Sequence, residues 1–164
     1  MGENHAVRQR TVMSPLGPLT ITEEDAHIVA LDWGSGPPEC QADTPLLTRA
    51  AAQINAYFDN VIKNFSLPLK PAGTAFQRAV WAAMLEIPPG RTETYGSLAA
   101  RIDGIARAVG TACGANPIPI IIPCHRVVAA KHLGGYSGDG GLDTKRYLLT
   151  LEGCADFSDQ PTLI

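Results

Sequence analysis

The sequence predicts an α+β protein in two parts: a small antiparallel sheet with one helix, then a mainly helical half. Three observations carry that prediction. Between residues 7 and 33, short strand-like runs are separated by turn residues. From residue 74 onward, apolar residues recur at helical spacing behind threonine caps. Between these stretches, residues 60–73 are extended and rich in proline and glycine. They read as a linker, which divides the chain into domains at 1–70 and 71–154 with a polar tail at 155–164.

The elements follow in order. Val7 to Met13 makes a first strand and Ser14-Pro15-Leu16-Gly17-Pro18 a turn. Leu19-Thr20-Ile21-Thr22 alternates apolar and polar at period two. Glu23-Glu24-Asp25 is a loop tip, Ile28 to Trp33 returns as a strand, and Gly34 to Pro38 ends the meander. Thr44 caps a helix to Phe58 with Pro45 in its first turn, and Leu47, Ala51, Ile54 and Phe58 share a face. Thr74-Ala75-Phe76-Gln77 is a capping box, followed by a stripe of Phe76, Val80, Met84 and Ile87 that Pro88-Pro89-Gly90 stops. Thr94 caps a short helix to Ile102, Asp103-Gly104 breaks it, and Ile105 to Gly114 is a second short helix ended by Asn116-Pro117. Two short helices across a glycine turn fit a helix-turn-helix and equally an ordinary helix hairpin. Ile118 to Val128 carries too much proline for a helix and reads as extended. Gly134 to Gly141 is a glycine loop, and Leu142 to Glu152 a final helix closed by Gly153.

Composition narrows the class. The chain has 164 residues, 45% hydrophobic and 18% charged, enough for a core without disulfides or metals. That excludes a collagen, a disordered polar tract and a coiled coil. No apolar run reaches the ~20 residues of a membrane span. Residues 1–10 are polar without a signal-like apolar stretch, and Ala6 breaks the myristoylation pattern. The expectation is a cytoplasmic protein with no membrane partner. The cysteines at 40, 113, 124 and 154 form no CxxC, so free thiols and no metal site are expected. Net charge is −3, but residues 72–154 hold eight Lys/Arg against six Asp/Glu.

Pro123-Cys124-His125-Arg126-Val127 is the densest chemical constellation. A thiol becomes a nucleophile beside positive charge or an adjacent base. In an extended segment Cys124 and His125 point to opposite faces, so contact needs a bend at Pro123 or a bridging water. The same residues also fit a buried thiol beside a satisfied histidine. Glu152 stands at a helix C-terminus, where the macrodipole disfavours an anion. It is either solvated or the partner of His125, completing a Cys–His–Glu relay. Asn116 fixes a sharp turn or caps a helix. The second short helix is built of small residues, Ala108 and Gly110 among them, with Arg107 its only charge. Such a helix can approach a nucleic-acid groove or merely a neighbouring helix. Arg107 can reach a phosphate, fill a vacated base position or make a surface ion pair. The glycine loop matches no phosphate-binding motif, but Tyr136 and Ser137 can offer hydroxyls to a flat polar ligand.

Together these segments resemble the O6-alkylguanine-DNA alkyltransferase (methylated-DNA–protein-cysteine methyltransferase) family. The match runs through Gly73-Thr74-Ala75-Phe76-Gln77, Tyr95-Gly96, Ala106-Arg107-Ala108-Val109-Gly110, Asn116-Pro117, Ile122-Pro123-Cys124-His125-Arg126-Val127, Gly135-Tyr136-Ser137, Lys145 and Glu152-Gly153, with Ser14 to Leu19 like the family's first hairpin. The resemblance implies a ribonuclease-H-like first domain and a winged-helix-like helix-turn-helix in the second. It implies single-use repair of double-stranded DNA, with the alkyl group of O6-alkylguanine, and as a second candidate O4-alkylthymine, moved irreversibly to Cys124. Cys124 is then the acceptor, activated by a water-bridged His125 and by Glu152, with Asn116 as hinge. Arg107 is the finger that fills the stack, and Ala108 and Gly110 lie on the DNA-binding helix. Tyr95 pushes the phosphate and bonds the guanine. The Val127 carbonyl reads the guanine amine, and Tyr136 and Ser137 line the pocket, Ser137 donating to O6. No cofactor or metal is implied, and a monomer is expected.

Three departures stand out. The chain is about two residues shorter between Leu98 and Arg107, Gly138-Asp139 is extra at the pocket lip, and the zinc ligands of some relatives have no match. Two other readings stay open: a non-catalytic alkyl-lesion-binding protein that recruits repair factors, and a cysteine hydrolase using Cys124, His125 and Glu152.

Overall fold

The computed structural model describes residues 7–154, so the expected tail at 155–164 lies outside the described residues. The chain forms two compact units, with the break between Ala72 and Gly73.

The first unit is an antiparallel sheet of β1 (Arg8–Ser14), β2 (Gly17–Glu24) and β3 (His27–Trp33) in that order, with helix α1 (Pro45–Phe58). Val12, Leu19, Ile21, Ile28 and Leu31 are buried, as are Leu47, Ala50, Ala51 and Ile54 of α1, which packs on β1 and β2. Thr44 caps α1 by accepting from the Leu47 N–H at 3.0 Å. At the end of α1 the core residue is Tyr57 rather than the expected Phe58, because the following segment brings the Phe65 ring within 5.1 Å of it.

Three expectations for this unit are corrected. The β2–β3 turn is Asp25-Ala26, both at positive φ (51° and 61°), the conformation that matches the twist of a tight hairpin. Glu23 therefore stays in the strand, where it is buried and accepts a hydrogen bond from the Thr44 hydroxyl. The threonines of the alternating strand are buried too. Residues 34–41 fold over them, with Thr20 donating to the Gly34 carbonyl (2.7 Å) and Thr11 accepting from the Gly36 N–H (3.1 Å). A Cβ on Gly36 would lie 2.8 Å from the Thr20 methyl. Residues 68–70 are not a free linker. They pair beside β3, with Ile28 N–H on Pro68 and Lys70 N–H on Ile28 at 2.8 and 2.9 Å.

The second unit opens with α2 (Ala75–Met84). Its capping box is complete: Thr74 accepts from the Gln77 N–H (3.0 Å) and Gln77 from the Thr74 N–H (2.9 Å). Val80, Met84 and Ile87 are buried as the stripe predicts. Phe76 instead stays 36% exposed, its ring over the turn at Gly104. Trp81 fills the core and donates its indole N–H to the Ala112 carbonyl (2.9 Å). After β4 (Glu93–Thr94) come α3 (Tyr95–Arg101) and α4 (Ala106–Gly114), joined by a four-residue turn in which Asp103 has φ 59°. β4 pairs in parallel with β5 (Val127–Val128), tying the start of α3 to the end of the cysteine segment. α5 (Gly141–Leu151) ends at Gly153, which is left-handed (φ 90°). Among the described residues no helix is long and apolar enough to cross a membrane.

Helix caps differ within this unit. Thr74 and Thr94 cap α2 and α3, whereas the cap position before α4 holds Ile105, 66% exposed and without a side-chain cap bond. Replacing a polar cap by alanine costs about 1 kcal/mol. Thr74→Ala should lower the unfolding free energy from urea melts by that amount, and Ile105→Ser should raise it.

Candidate active site

The cysteine segment is shaped from both ends. Asn116, just beyond α4, donates from Nδ2 to the Ile122 carbonyl (2.8 Å) and accepts from the Ile118 N–H (2.9 Å), clamping the loop between them. Inside that loop Ile120 is buried at φ 74°, a conformation that costs a β-branched residue about 1–3 kcal/mol. Pro123, at φ −81° and ψ 67°, is the centre of an inverse γ-turn closed by the Cys124 N–H on the Ile122 carbonyl (2.8 Å). Cys124–Arg126 then makes one 3₁₀ turn. The segment is thus bent where an extended run was expected, because a proline fixed near this φ starts the turn.

The bend sends Cys124 and His125 to different layers. His125 and Arg126 are buried against Glu152. The His125 Nε2–H lies 2.7 Å from Glu152 Oε2. Arg126 grips the same carboxylate through Nε (2.8 Å) and Nη2 (2.9 Å), and its Nη1 donates to the Ile87 carbonyl (2.7 Å). Burial alone would raise the Glu152 carboxyl. Hydrogen bonds and charge from His125 and Arg126 outweigh it and hold the group down at about 2. Burial lowers the His125 pKa against the pull of Glu152, so the ring is neutral at pH 7. With Nε2–H turned to Glu152, Nδ1 is the basic nitrogen, and among the described residues it is buried without a hydrogen-bond partner.

Cys124, 6% exposed, lies at the floor of a cavity of about 500 Å³ that Tyr95, Cys113, Tyr136 and Ser137 also line. Burial pushes its pKa up, while the Asn116 side chain and the Lys145 charge pull it back. Lys145 is fully buried and donates to the carbonyls of Val127 (2.7 Å) and Gly135 (2.9 Å). Its ammonium also sits 5.9 Å from the centre of the Tyr95 ring. Burial lowers its pKa to about 8, which leaves it mainly charged at pH 7. Tyr95 is pushed up to about 12, chiefly by burial, and remains a hydroxyl donor. The close approach of Gly134 to Tyr95 explains a glycine there: a Cβ would lie 2.9 Å from the ring, and φ is +77°.

The expected site residues other than Val127 fall into three groups. Tyr95, Gly110, Cys124, Tyr136 and Ser137 line the cavity. Asn116, His125 and Glu152 form the layer behind Cys124. Arg107, exposed, and Ala108, half-buried, lie on α4 outside the cavity. Val127 does not line the cavity, its side chain is fully buried, and its carbonyl already holds Lys145. Gly138 and Asp139 are also absent from the lining. The Asp139 carbonyl accepts from Thr144 (2.6 Å) at the start of α5, so the extra pair lengthens the helix entry and not the pocket wall.

Sequence reasoning missed the roles of Arg126 and Lys145. The cation acting on Cys124 is Lys145, because Arg126 is spent on Glu152. The available signal was a lysine three, four and seven residues before Leu148, Leu149 and Glu152, on the buried stripe of α5.

A helix-turn-helix beside a cavity that ends on a buried cysteine defines a class of proteins that pair a nucleophile with a nucleic-acid-binding motif. Comparisons with known proteins make the class specific. The family models "6-O-methylguanine DNA methyltransferase, ribonuclease-like domain" and "6-O-methylguanine DNA methyltransferase, DNA binding domain" match residues 7–71 and 75–154. The chain is 40% identical over 149 residues to a methylated-DNA–protein-cysteine methyltransferase of Methanosarcina acetivorans, covering 85% of this chain and 94% of that one. It is 42% identical over 154 residues to that of Mycobacterium tuberculosis, covering 89% and 92%. The crystal structure of Mycobacterium tuberculosis OGT in complex with DNA superposes with a TM-score of 0.78 at 43% identity, covering 88% of this chain and 92% of that one. The chain belongs to the 6-O-methylguanine DNA methyltransferase family. The fold class expected from the sequence, a ribonuclease-like unit followed by a helix-turn-helix unit, holds.

The charges set a pH dependence. The Glu152 carboxyl is lowered from 4.5 to about 2 in the folded state, so its stabilisation is complete above 4.5 and is lost as pH falls towards 2. It amounts to something on the order of 3 kcal/mol. His125, lowered from 6.5, adds a loss of the same sign that begins as pH falls through 6.5. Urea melts from pH 7 to 2 should show both losses. Glu152→Gln should flatten the lower one, while losing stability at pH 7 because the Arg126 charge stays buried without a counter-charge.

Proposed function

We propose that this protein repairs O6-alkylguanine in double-stranded DNA by transferring the alkyl group irreversibly to Cys124, once per molecule. The observation that carries this reading is a buried thiol at the floor of a nucleotide-sized cavity, backed by a neutral imidazole whose Nδ1 is unpartnered. At rest Cys124 is a thiol. Its proton passes to His125 Nδ1 through a bridging water, and the Glu152 carboxylate stabilises the imidazolium that forms. The Cys124 sulfur attacks the alkyl carbon, the carbon–O6 bond breaks, and its electron pair leaves with the guanine. Lys145 steadies the thiolate, while Tyr95 and Ser137 donate to the leaving base. The thioether is stable, so no second turnover follows, and the residues need no cofactor.

Base access requires flipping, in which α4 enters the groove. Ala108 and Gly110 keep the approach close, and Arg107 fills the vacated position. All these groups belong to one chain, which suits a monomer. A reduced thiol nucleophile suits the cytoplasm.

The test is the mass of the Ala108–Arg126 tryptic peptide after incubation with an O6-methylguanine duplex. One methylene should be gained per chain, localised by fragment ions to Cys124 and not to Cys113, and Cys124→Ser should gain none. Lesion-selective binding without any gain would leave a recognition module, and continued turnover would mean a hydrolase.

A second prediction concerns flipping. Arg107→Ala should slow transfer from the duplex on the order of tenfold or more, since unstacking costs a few kcal/mol. Reaction with free O6-benzylguanine should be unchanged. An equal loss on both substrates would remove the finger role.

A further inference from the structure

We propose that His132 binds substrate at this site, donating a hydrogen bond from Nε2 to a phosphate flanking the nucleotide that enters the cavity; this rests on the function proposed above. His132 lines the cavity that ends on Cys124, yet it is solvent-exposed, which places it at the rim. Its ring is fixed by the backbone: the Gly134 N–H donates to Nδ1 at 3.0 Å. With Nδ1 serving as acceptor, the proton of the imidazole resides on Nε2, which is left as a donor. The buried or half-buried lining residues are Tyr95, Cys113, Cys124 and Tyr136, and a base is placed among them. A base that fills that space leaves its sugar and phosphates at the mouth. A rim donor there meets an anionic acceptor, and the exposed neighbour Lys131 adds positive charge beside it.

The test separates this contact from loop support. His132→Asn keeps a side-chain oxygen two residues before Gly134, able to accept its N–H as in an Asx-turn, but removes the distal donor. The second-order rate of alkyl transfer from an O6-methylguanine duplex should fall about tenfold or more, the scale of one charge-assisted hydrogen bond. The rate with free O6-benzylguanine, which has no phosphate, should stay within about twofold of wild type, the change expected when no contact is lost. Replacing the flanking phosphates by uncharged methylphosphonates should slow the wild type, and slow the variant less, because only the Lys131 charge and the Tyr95 contact remain to be lost. An unchanged duplex rate, an equal loss on both substrates, or fully additive losses with methylphosphonate would each overturn the assignment. If wild type reacts with neither substrate while the Cys124 thiol remains titratable, the proposed transfer itself fails and this inference fails with it.

Discussion

The Glu152 carboxylate, buried where α5 ends, holds three segments at once. It fixes the His125 ring, receives two bonds from Arg126, and through Arg126 reaches the carbonyl of Ile87. Burying such a group is expensive, and the helix end repels its charge. The guanidinium fork repays both costs by meeting the carboxylate edge-on, with a third donor left for the backbone. The cysteine's turn cannot shift without stranding one of these charges, so the position of Cys124 is enforced by electrostatics as much as by packing. The same carboxylate selects the imidazole tautomer, which leaves Nδ1 as the basic nitrogen of the ring.

The site is therefore layered. A charged layer lies behind the cysteine and never meets the cavity. In front, the cavity is walled by aromatic rings and small residues. Lys145 joins the two: one ammonium ties the Val127 carbonyl to the Gly135 carbonyl and supplies the charge that eases thiolate formation. The short β4–β5 ladder sets Tyr95 at the head of α3 in register with the same segment.

What the sequence revealed was whatever neighbouring residues decide among themselves. Thr44, Thr74 and Thr94 cap the helices they precede, and the Thr74–Gln77 box is complete. The pairing of His125 with Glu152 was readable because an anion at a helix C-terminus asks for a partner. What stayed hidden depends on distant groups. Pro123 could be read as a possible bend, but its γ-turn is closed by the backbone of Ile122. Residues 68–70 look like linker until β3 offers them an edge. Thr20 looks solvated until residues 34–41 cover it. Arg126 reads as the thiolate's cation, and Lys145 has no assigned role, because nothing local announces the carboxylate and carbonyls that receive them.

Ile120 bears on the order in which the site comes into being. Its left-handed backbone is opposed by its own side chain, so the loop from Ile118 to Ile122 is held by its surroundings rather than by local preference. Those surroundings are Asn116 at the end of α4 and the packed interior of the second unit. Of the groups that tune the thiol, Asn116 follows α4 while the Lys145 charge comes from α5. The full surroundings of Cys124 thus form only once α5 is synthesised and docked. A nascent chain that has not yet docked α5 therefore carries an ordinary cysteine, without the Lys145 charge beside it.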